Sequence, residues 1–291
     1  MNLKQMLKDG QVIAAGVYDC YSSRAMEHVG YKAVVLCGGA VAGLNDENLV
    51  TLEDVAWTAS RMTIFEEIPV LADARNGYGE SAAHAARAVE RLEGCGVQGI
   101  IIDDSTNTID GGKGILSPAG WEKRLRAALN ARQDCLIIAA VCGKGPIEER
   151  IDRCLAAQRA GADLVCIRHL ETEKEVEAFA KAVPTGKMWY DACHCDNVPM
   201  KFAQLKALGF EMIYQSFAAR SARWGMTDFG KRTFADKHTV YHDEHDFDGL
   251  VDSKAVASLY NFAGAWIPFE QRMNDLGEVG KMTDMIRIEG E

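Results

Sequence analysis

Short apolar runs recur along the chain at near-regular intervals: VIAAGV (12–17), AVVLC (33–37), PVLAD (69–73), GIIID (99–103), LIIAAV (136–141), DLVCI (163–167), KMWYD (187–191) and EMIYQ (211–215). They are continuous rather than alternating, which is the pattern of parallel strands covered on both faces. Between them lie stretches with helical spacing, for example Ala82, Ala85, Ala86, Val89 and Leu92, whose apolar side chains would share one helix face.

The junctions carry their own signals. Thr51 with Asp54 and Thr172 with Glu175 have capping-box spacing, and Ser117-Pro118 sets a capping hydroxyl before a proline suited to a first helical turn. Gly30, Gly96, Gly161 and Gly209 each stand where a helix must stop and turn into the next strand, a position that favours positive φ. Eight strand–helix units predict an α/β chain, a (β/α)8 TIM barrel over residues 1–225 with a C-terminal helical extension over 226–291. A doubly wound open sheet is the alternative. It is poorly supported because no GxGxxG follows the first strand, and CGGAVAG (37–43) has different spacing.

A barrel does its chemistry at the strand C-termini. That rim collects Tyr18 and Asp19, Cys37-Gly38-Gly39, Asp73 and Arg75, Asp103 and Asp104, Cys142 and Lys144, Arg168 and His169, Asp191 and His194, and Gln215 and Ser216. Asp73 and Asp103 end neighbouring strands and could share Mg²⁺, which takes one or two carboxylates and otherwise keeps water or substrate oxygens; they could equally cap helices or pair with Arg75. Gly38 and Gly39 could present backbone N–H groups to an anionic oxygen, or form a plain turn. Cys193, His194, Cys195, His242 and His245 would suit zinc only if two distant segments met, and their spacing is not that of a zinc finger.

Composition narrows the partners. The 291 residues are 48% apolar and carry a formal charge of -10, which argues against a nucleic-acid surface or an anionic membrane. The N-terminus lacks the apolar core of a secretory signal, and no run of about 18 apolar residues is present to span a bilayer. A cytoplasmic location is expected, and the nine scattered cysteines read as buried hydrophobes with no disulfide framework.

With GVYDCYSSRAMEHVGYKAVVLCGGAVAG, NDENLVTLEDV, PVLADARNGYGE, GVQGIIIDDS and AGADLV in sequence, the chain resembles the isocitrate lyase / phosphoenolpyruvate mutase superfamily over about residues 12–215. The resemblance implies a 2-oxo or 2-hydroxy carboxylate bound against Mg²⁺ and an enolate-like intermediate in a closing barrel mouth. Position by position, it makes Cys37-Gly38-Gly39 the turn that holds a substrate carboxylate, Asp46 an aspartate on a mobile segment, and Asp73 the direct metal ligand. Asp103 stands where an outer-shell glutamate is usual. Tyr18, Arg168 and Asp191 are the further expected substrate contacts.

The departures from the family pattern are specific. Arg75 replaces the second acid of an Asp-Ala-Asp motif, and Ala140 stands where an arginine is usual. Arg168 stands where the sixth strand usually ends in glutamate. The lyase cysteine loop shrinks to STNTIDGGKGILSP (105–118), which has no cysteine; it is expected to be a mobile closing loop with Lys113 as its candidate donor. The expected function is a Mg-assisted lyase or decarboxylase acting on a C–C bond. A hydrolase of an oxo acid or phosphonate, and a silent carboxylate-binding relative, are the alternatives. Arg75 is expected to weaken the metal and to contact substrate or pair with Asp73 or Asp104. The resemblance also implies a homo-oligomer, a tetramer of helix-swapped dimers, in which the apolar-rich segment 253–273 would be covered by a partner.

Overall fold

A computed structural model describes residues 2–37, 41, 49–107, 113–192 and 197–236. The chain divides into two compact units, Met1–Ala222 and Arg223–Glu291. In the first unit the eight apolar runs form the eight strands of a closed parallel barrel: β1 (Val12–Val17), β2 (Ala33–Leu36), β3 (Val70–Asp73), β4 (Gly99–Asp103), β7 (Leu136–Val141), β8 (Leu164–Ile167), β9 (Met188–Ala192) and β10 (Phe210–Gln215). Closure by β1 against both β10 and β2 rules out the open sheet.

The helices start where their caps require. Thr51 opens α3 (Leu52–Phe65) and Thr172 opens α7 (Glu173–Ala182), both with reciprocal capping boxes, and Ser117 accepts from the Gly120 N–H ahead of α5 (Pro118–Ala131). The remaining helices of the first unit are α1 (Leu3–Asp9), α2 (Cys20–Val29), α4 (Ala82–Glu93), α6 (Ile147–Ala160) and α8 (Phe202–Ala207); α9 (Ala218–Asp236) follows. Gly30 and Gly161 hold left-handed φ of 107° and 112° after α2 and α6, where a side chain would be strained. No helix among the described residues is long and apolar enough to cross a membrane.

Two apolar regions result. One fills the space between barrel and helices; the other fills the barrel itself with Val12, Ala14, Ala33, Val35, Leu71, Ile101, Leu136, Ile138, Ala140, Leu164, Cys166, Trp189, Met212 and Tyr214. Leu3 of α1, fully buried, joins the interior cluster with Met6 and Leu7 packed on it, so α1 stops the barrel at its N-terminal end. The STNTIDGGKGILSP stretch, expected as a closing loop, carries short strands of its own. Its stems pair as an antiparallel ribbon, β5 (Ser105–Asn107) with β6 (Lys113–Ile115), while its tip lies outside the described residues.

Candidate active site

The interior residues define a parity. Side chains alternate faces along a strand, so continuing from Ala14, Val35, Leu71, Ile101, Ala140, Cys166, Trp189 and Tyr214 by steps of two leads to Tyr18, Cys37, Asp73, Asp103, Cys142, Arg168, Asp191 and Ser216. Six of these eight are expected site residues. Asp104, one residue out of phase, turns the other way: its carboxylate takes the Arg153 Nε–H at 2.7 Å and the Cys142 N–H at 2.8 Å. It therefore anchors structure instead of pairing with Arg75. Asp19 is likewise structural, since its carboxylate accepts the Ser22 N–H as the cap of α2.

The centre of the mouth is an ion pair between two strands. Both carboxylate oxygens of Asp73 lie 3.0 Å from Nη2 of Arg168, and Asp103 Oδ2 is 3.8 Å from the same nitrogen. All three residues are buried. Burial works to lower the Arg168 pKa, but Asp73, then Cys142, Asp103 and Asp191, outweigh it and the guanidinium holds its proton more firmly than an ordinary arginine. Arg75, for which pairing with Asp73 is one of the expected alternatives, meets it through the main chain among the described contacts. Its N–H donates to Asp73 Oδ1 at 3.0 Å and its carbonyl accepts the Asp103 N–H at 2.7 Å. This double link needs the left-handed backbone of Arg75, φ 53°, a conformation that costs about 1–2 kcal/mol in a residue with a side chain. The half-buried Arg75 side chain lines a cleft of about 330 Å³ with Thr51, Tyr78, His84 and Arg87.

The surrounding groups hold this arrangement still. Tyr78, itself left-handed at φ 59°, donates its hydroxyl to the Asp73 carbonyl at 3.1 Å; burial, and then the nearby Asp73 charge, push its phenol well up. Asp103 Oδ1 accepts the Ser105 hydroxyl at 2.6 Å and the Ser105 N–H at 3.1 Å. Behind it Arg124, buried in α5, donates to the carbonyls of Asp103 and Ser105. Arg150 donates to the His169 carbonyl and to Glu175, fixing the chain next to Arg168. Cys142 is placed on the rim by the sequence without a role of its own: burial, then Asp103, raise its thiol pKa well above the usual value while Arg168 opposes them. It is therefore a neutral thiol beside the ion pair. Its strand parity was the signal that could have singled it out.

Tyr18 and Cys37 follow β1 and β2 at the mouth and are half-buried, and the Cys37 N–H donates to the Val17 carbonyl at 2.9 Å. Asp191 is buried in β9. Lys113 begins β6, opposite Asn107, and its side chain is outside the described set. Gly38, Gly39 and Asp46, together with Cys193, His194, Cys195, His242 and His245, also lie outside the described residues.

The expected magnesium ion does not fit the donors as they stand. A site of this kind rests on one or two carboxylates, and the Arg168 guanidinium already sits on both oxygens of Asp73. A divalent ion roughly 4 Å from that guanidinium would be repelled by about 8 kcal/mol at an effective dielectric of 20. Among the described residues no three His, Cys, Asp or Glu side chains converge as a metal cluster.

The sequence model of the phosphoenolpyruvate phosphomutase family matches residues 3–234. The chain belongs to this family. As a member of the isocitrate lyase / phosphoenolpyruvate mutase superfamily, it is 33% identical over 181 residues to the 2-methylisocitrate lyase of Aeropyrum pernix, covering 59% of this chain and 58% of that protein. It is 33% identical over 178 residues to the oxaloacetate decarboxylase of Pseudomonas fluorescens, covering 57% of this chain and 61% of that protein. These alignments span about three-fifths of the relatives' own length. A longer one, at 28% identity over 265 residues, covers 86% of this family member and 88% of the 2,3-dimethylmalate lyase of Eubacterium barkeri. Among solved structures, a 2,3-dimethylmalate lyase has a TM-score of 0.80 at 24% identity, covering 93% of this chain and 96% of that one. A phosphonopyruvate hydrolase crystallised with oxalate and Mg²⁺ has a TM-score of 0.73 at 21% identity, covering 95% and 98%. Both structures share this member's fold.

Proposed function

We propose that this protein cleaves a C–C bond of a small 2-oxo or 2-hydroxy carboxylate, as a lyase or decarboxylase, through an enolate-like intermediate. The observation that carries the reading is the buried Asp73–Arg168–Asp103 constellation at the barrel mouth, in a chain whose relatives include lyases of malate-type acids and an oxaloacetate decarboxylase. A fixed guanidinium between carboxylates can hold a carboxylate or a developing enolate in one orientation, because it makes planar, charge-assisted hydrogen bonds. Cys142, protonated and beside the pair, is a proton source for the carbanionic carbon once the bond has broken. Tyr18, Cys37 and Asp191, on the same strand parity, are the proposed substrate contacts. Gly38, Gly39, Asp46 and Lys113 keep the roles that the family resemblance implies.

The test is a panel of 2-oxo and 2-hydroxy di- and tricarboxylates followed by NMR for substrate loss and product identity. A carbonyl compound plus a shorter acid, or CO₂ plus a shorter oxo acid, is expected. Asp73→Asn, which removes the carboxylate charge that orients Arg168, should lower turnover by roughly a hundredfold or more, the scale of losing an organised charge at the reacting centre. No consumption of any member would defeat the reading; release of acetate or phosphate by water alone would move the protein to the hydrolases. The same reading takes the protein as a homo-oligomer in the cytoplasm, supported by the apolar-rich sequence at 253–273. A monomer mass by light scattering at micromolar concentration would remove the assembly.

A further inference from the structure

We propose that Arg168 is the fixed cation of this site: its guanidinium stands in place of a divalent metal against Asp73, and its Nε–H takes an oxygen of the substrate carboxylate or enolate. The inference rests on the reading above that the mouth binds a small carboxylate, and it names how. Three observations carry it. Arg168 Nη2 lies 3.0 Å from both oxygens of Asp73, on the bisector of the carboxylate where a cation sits most favourably. Arg168 continues the inward-facing parity of β8 from Leu164 and Cys166, so its backbone sends it into the mouth. Its Nε is buried and has no hydrogen-bond partner among the described residues.

A buried, charged N–H left unpaired is costly, and Arg124 (Nε and Nη2) and Arg150 (Nε) carry such groups as well. What separates Arg168 from them is position: Arg124 and Arg150 sit on helices outside the barrel and tie down the carbonyls of Asp103, Ser105 and His169, whereas Arg168 continues the inward parity of β8 into the mouth. Arg168 holds Asp73 through one terminal nitrogen only, among its described hydrogen bonds, and keeps Nε in hand. An oxygen arriving there would complete the donor set and meet a positive charge that needs no reorganisation. The Asp73 carboxylate, with its Oδ1 also accepting the Arg75 N–H, serves to orient the fork.

The experiment uses the full-length protein after EDTA treatment. Mn²⁺ alone is titrated and followed by EPR, and oxalate alone, a planar dianion with no reactive carbon, is titrated by calorimetry with and without Mn²⁺. Expected are no stoichiometric Mn²⁺ uptake up to millimolar concentration and oxalate binding that does not require metal. Arg168→Lys, which keeps the charge but loses the fork and Nε, should weaken oxalate by roughly tenfold or more. Uptake of one equivalent of Mn²⁺, oxalate binding that appears only with Mn²⁺, or unchanged oxalate affinity in Arg168→Lys would overturn the proposal. If Arg168→Lys does not fold, as judged by circular dichroism, the two wild-type titrations decide. Failure here is distinct from failure of the proposed reaction: turnover that requires Mg²⁺ would sink this inference and leave the lyase standing. Metal-free oxalate binding without turnover of any oxo acid would do the reverse.

Discussion

At the scale of single residues, Gly16 shows how tightly the mouth is built. A Cβ there would lie 2.9 Å from the Tyr214 hydroxyl and 3.0 Å from Cβ and Oγ of Ser216. Tyr214 cannot swing aside, because it is buried and packed edge-on to Trp189 with ring centres 5.6 Å apart. Gly16→Ala should therefore cost about 1–3 kcal/mol of stability, the range for overpacking a filled core, and disturb the mouth between β1 and β10. A chemical melt showing no loss would mean that the ring or the strand yields more easily than its packing implies. The same scale shows what could be read in advance. The placement of Tyr18, Cys37, Asp73, Asp103, Arg168 and Asp191 at the mouth was legible because each ends or directly follows an apolar run, and run ends are where a barrel exposes its polar groups. The Arg168–Asp73 pair was not, since 95 residues separate the partners and only closure of the barrel brings them together. Arg75, two residues on, left pairing with Asp73 or Asp104 and contact with substrate all open from the sequence. Its left-handed backbone, which no residue type announces, commits its N–H and carbonyl to the two aspartates.

Elements were legible where their signals were redundant and illegible where they were short. The eight strands showed as continuous apolar runs at near-regular spacing, and three helix starts were marked by their caps. The β5–β6 ribbon offers three residues a side around a glycine-rich tip, too little for a period, and its place is fixed from below by Arg153, which spans Asp104 and the Leu116 carbonyl. The contact between α2 and α3 carries a titratable feature of its own. Glu66 caps the C-terminus of α3 and is buried, with neither carboxylate oxygen hydrogen-bonded among the described residues. Burial first, and the nearby Glu27, push its carboxyl up to about 7, against the opposing pull of the neighbouring Ser23 hydroxyl and then of Arg24. Between its unfolded value of about 4.5 and that folded value the native state holds the extra proton, so stability falls as pH rises through this window and stays lower above it. Glu66→Gln should abolish this slope and stabilise the protein at pH 8 by about 2–3 kcal/mol, with the advantage gone below about pH 4.5. Parallel urea melts of the two proteins from pH 4 to 8 would show it; curves that stay equally spaced across the range would exclude Glu66 as the source.

For the barrel as a whole, the two ends divide the labour. Buried charge gathers at the C-terminal mouth, while the opposite end is closed by α1, seven residues long and too short to stand out as a helix from its sequence. Its attachment is nonetheless specific. Leu3 is fully buried in the interior cluster with Leu71, Ile101 and Leu136, its N–H donates to the Gln98 side chain at 2.7 Å, and Asn2 caps the helix by accepting the Gln5 N–H. Barrel proteins place stability at this end and chemistry at the other, and the prediction follows from that separation. Leu3→Ala removes a buried side chain from a core that cannot collapse around the gap, because the strands ringing it are held by their ladder, and should cost about 2–5 kcal/mol. Leu3 sits at the end of the barrel opposite the mouth, so kcat and KM, measured well below the lowered melting temperature, should match those of the unaltered protein. A variant that melts early and is also impaired at low temperature would show that the plug sets the geometry of the mouth through the strands, and that the ends are coupled.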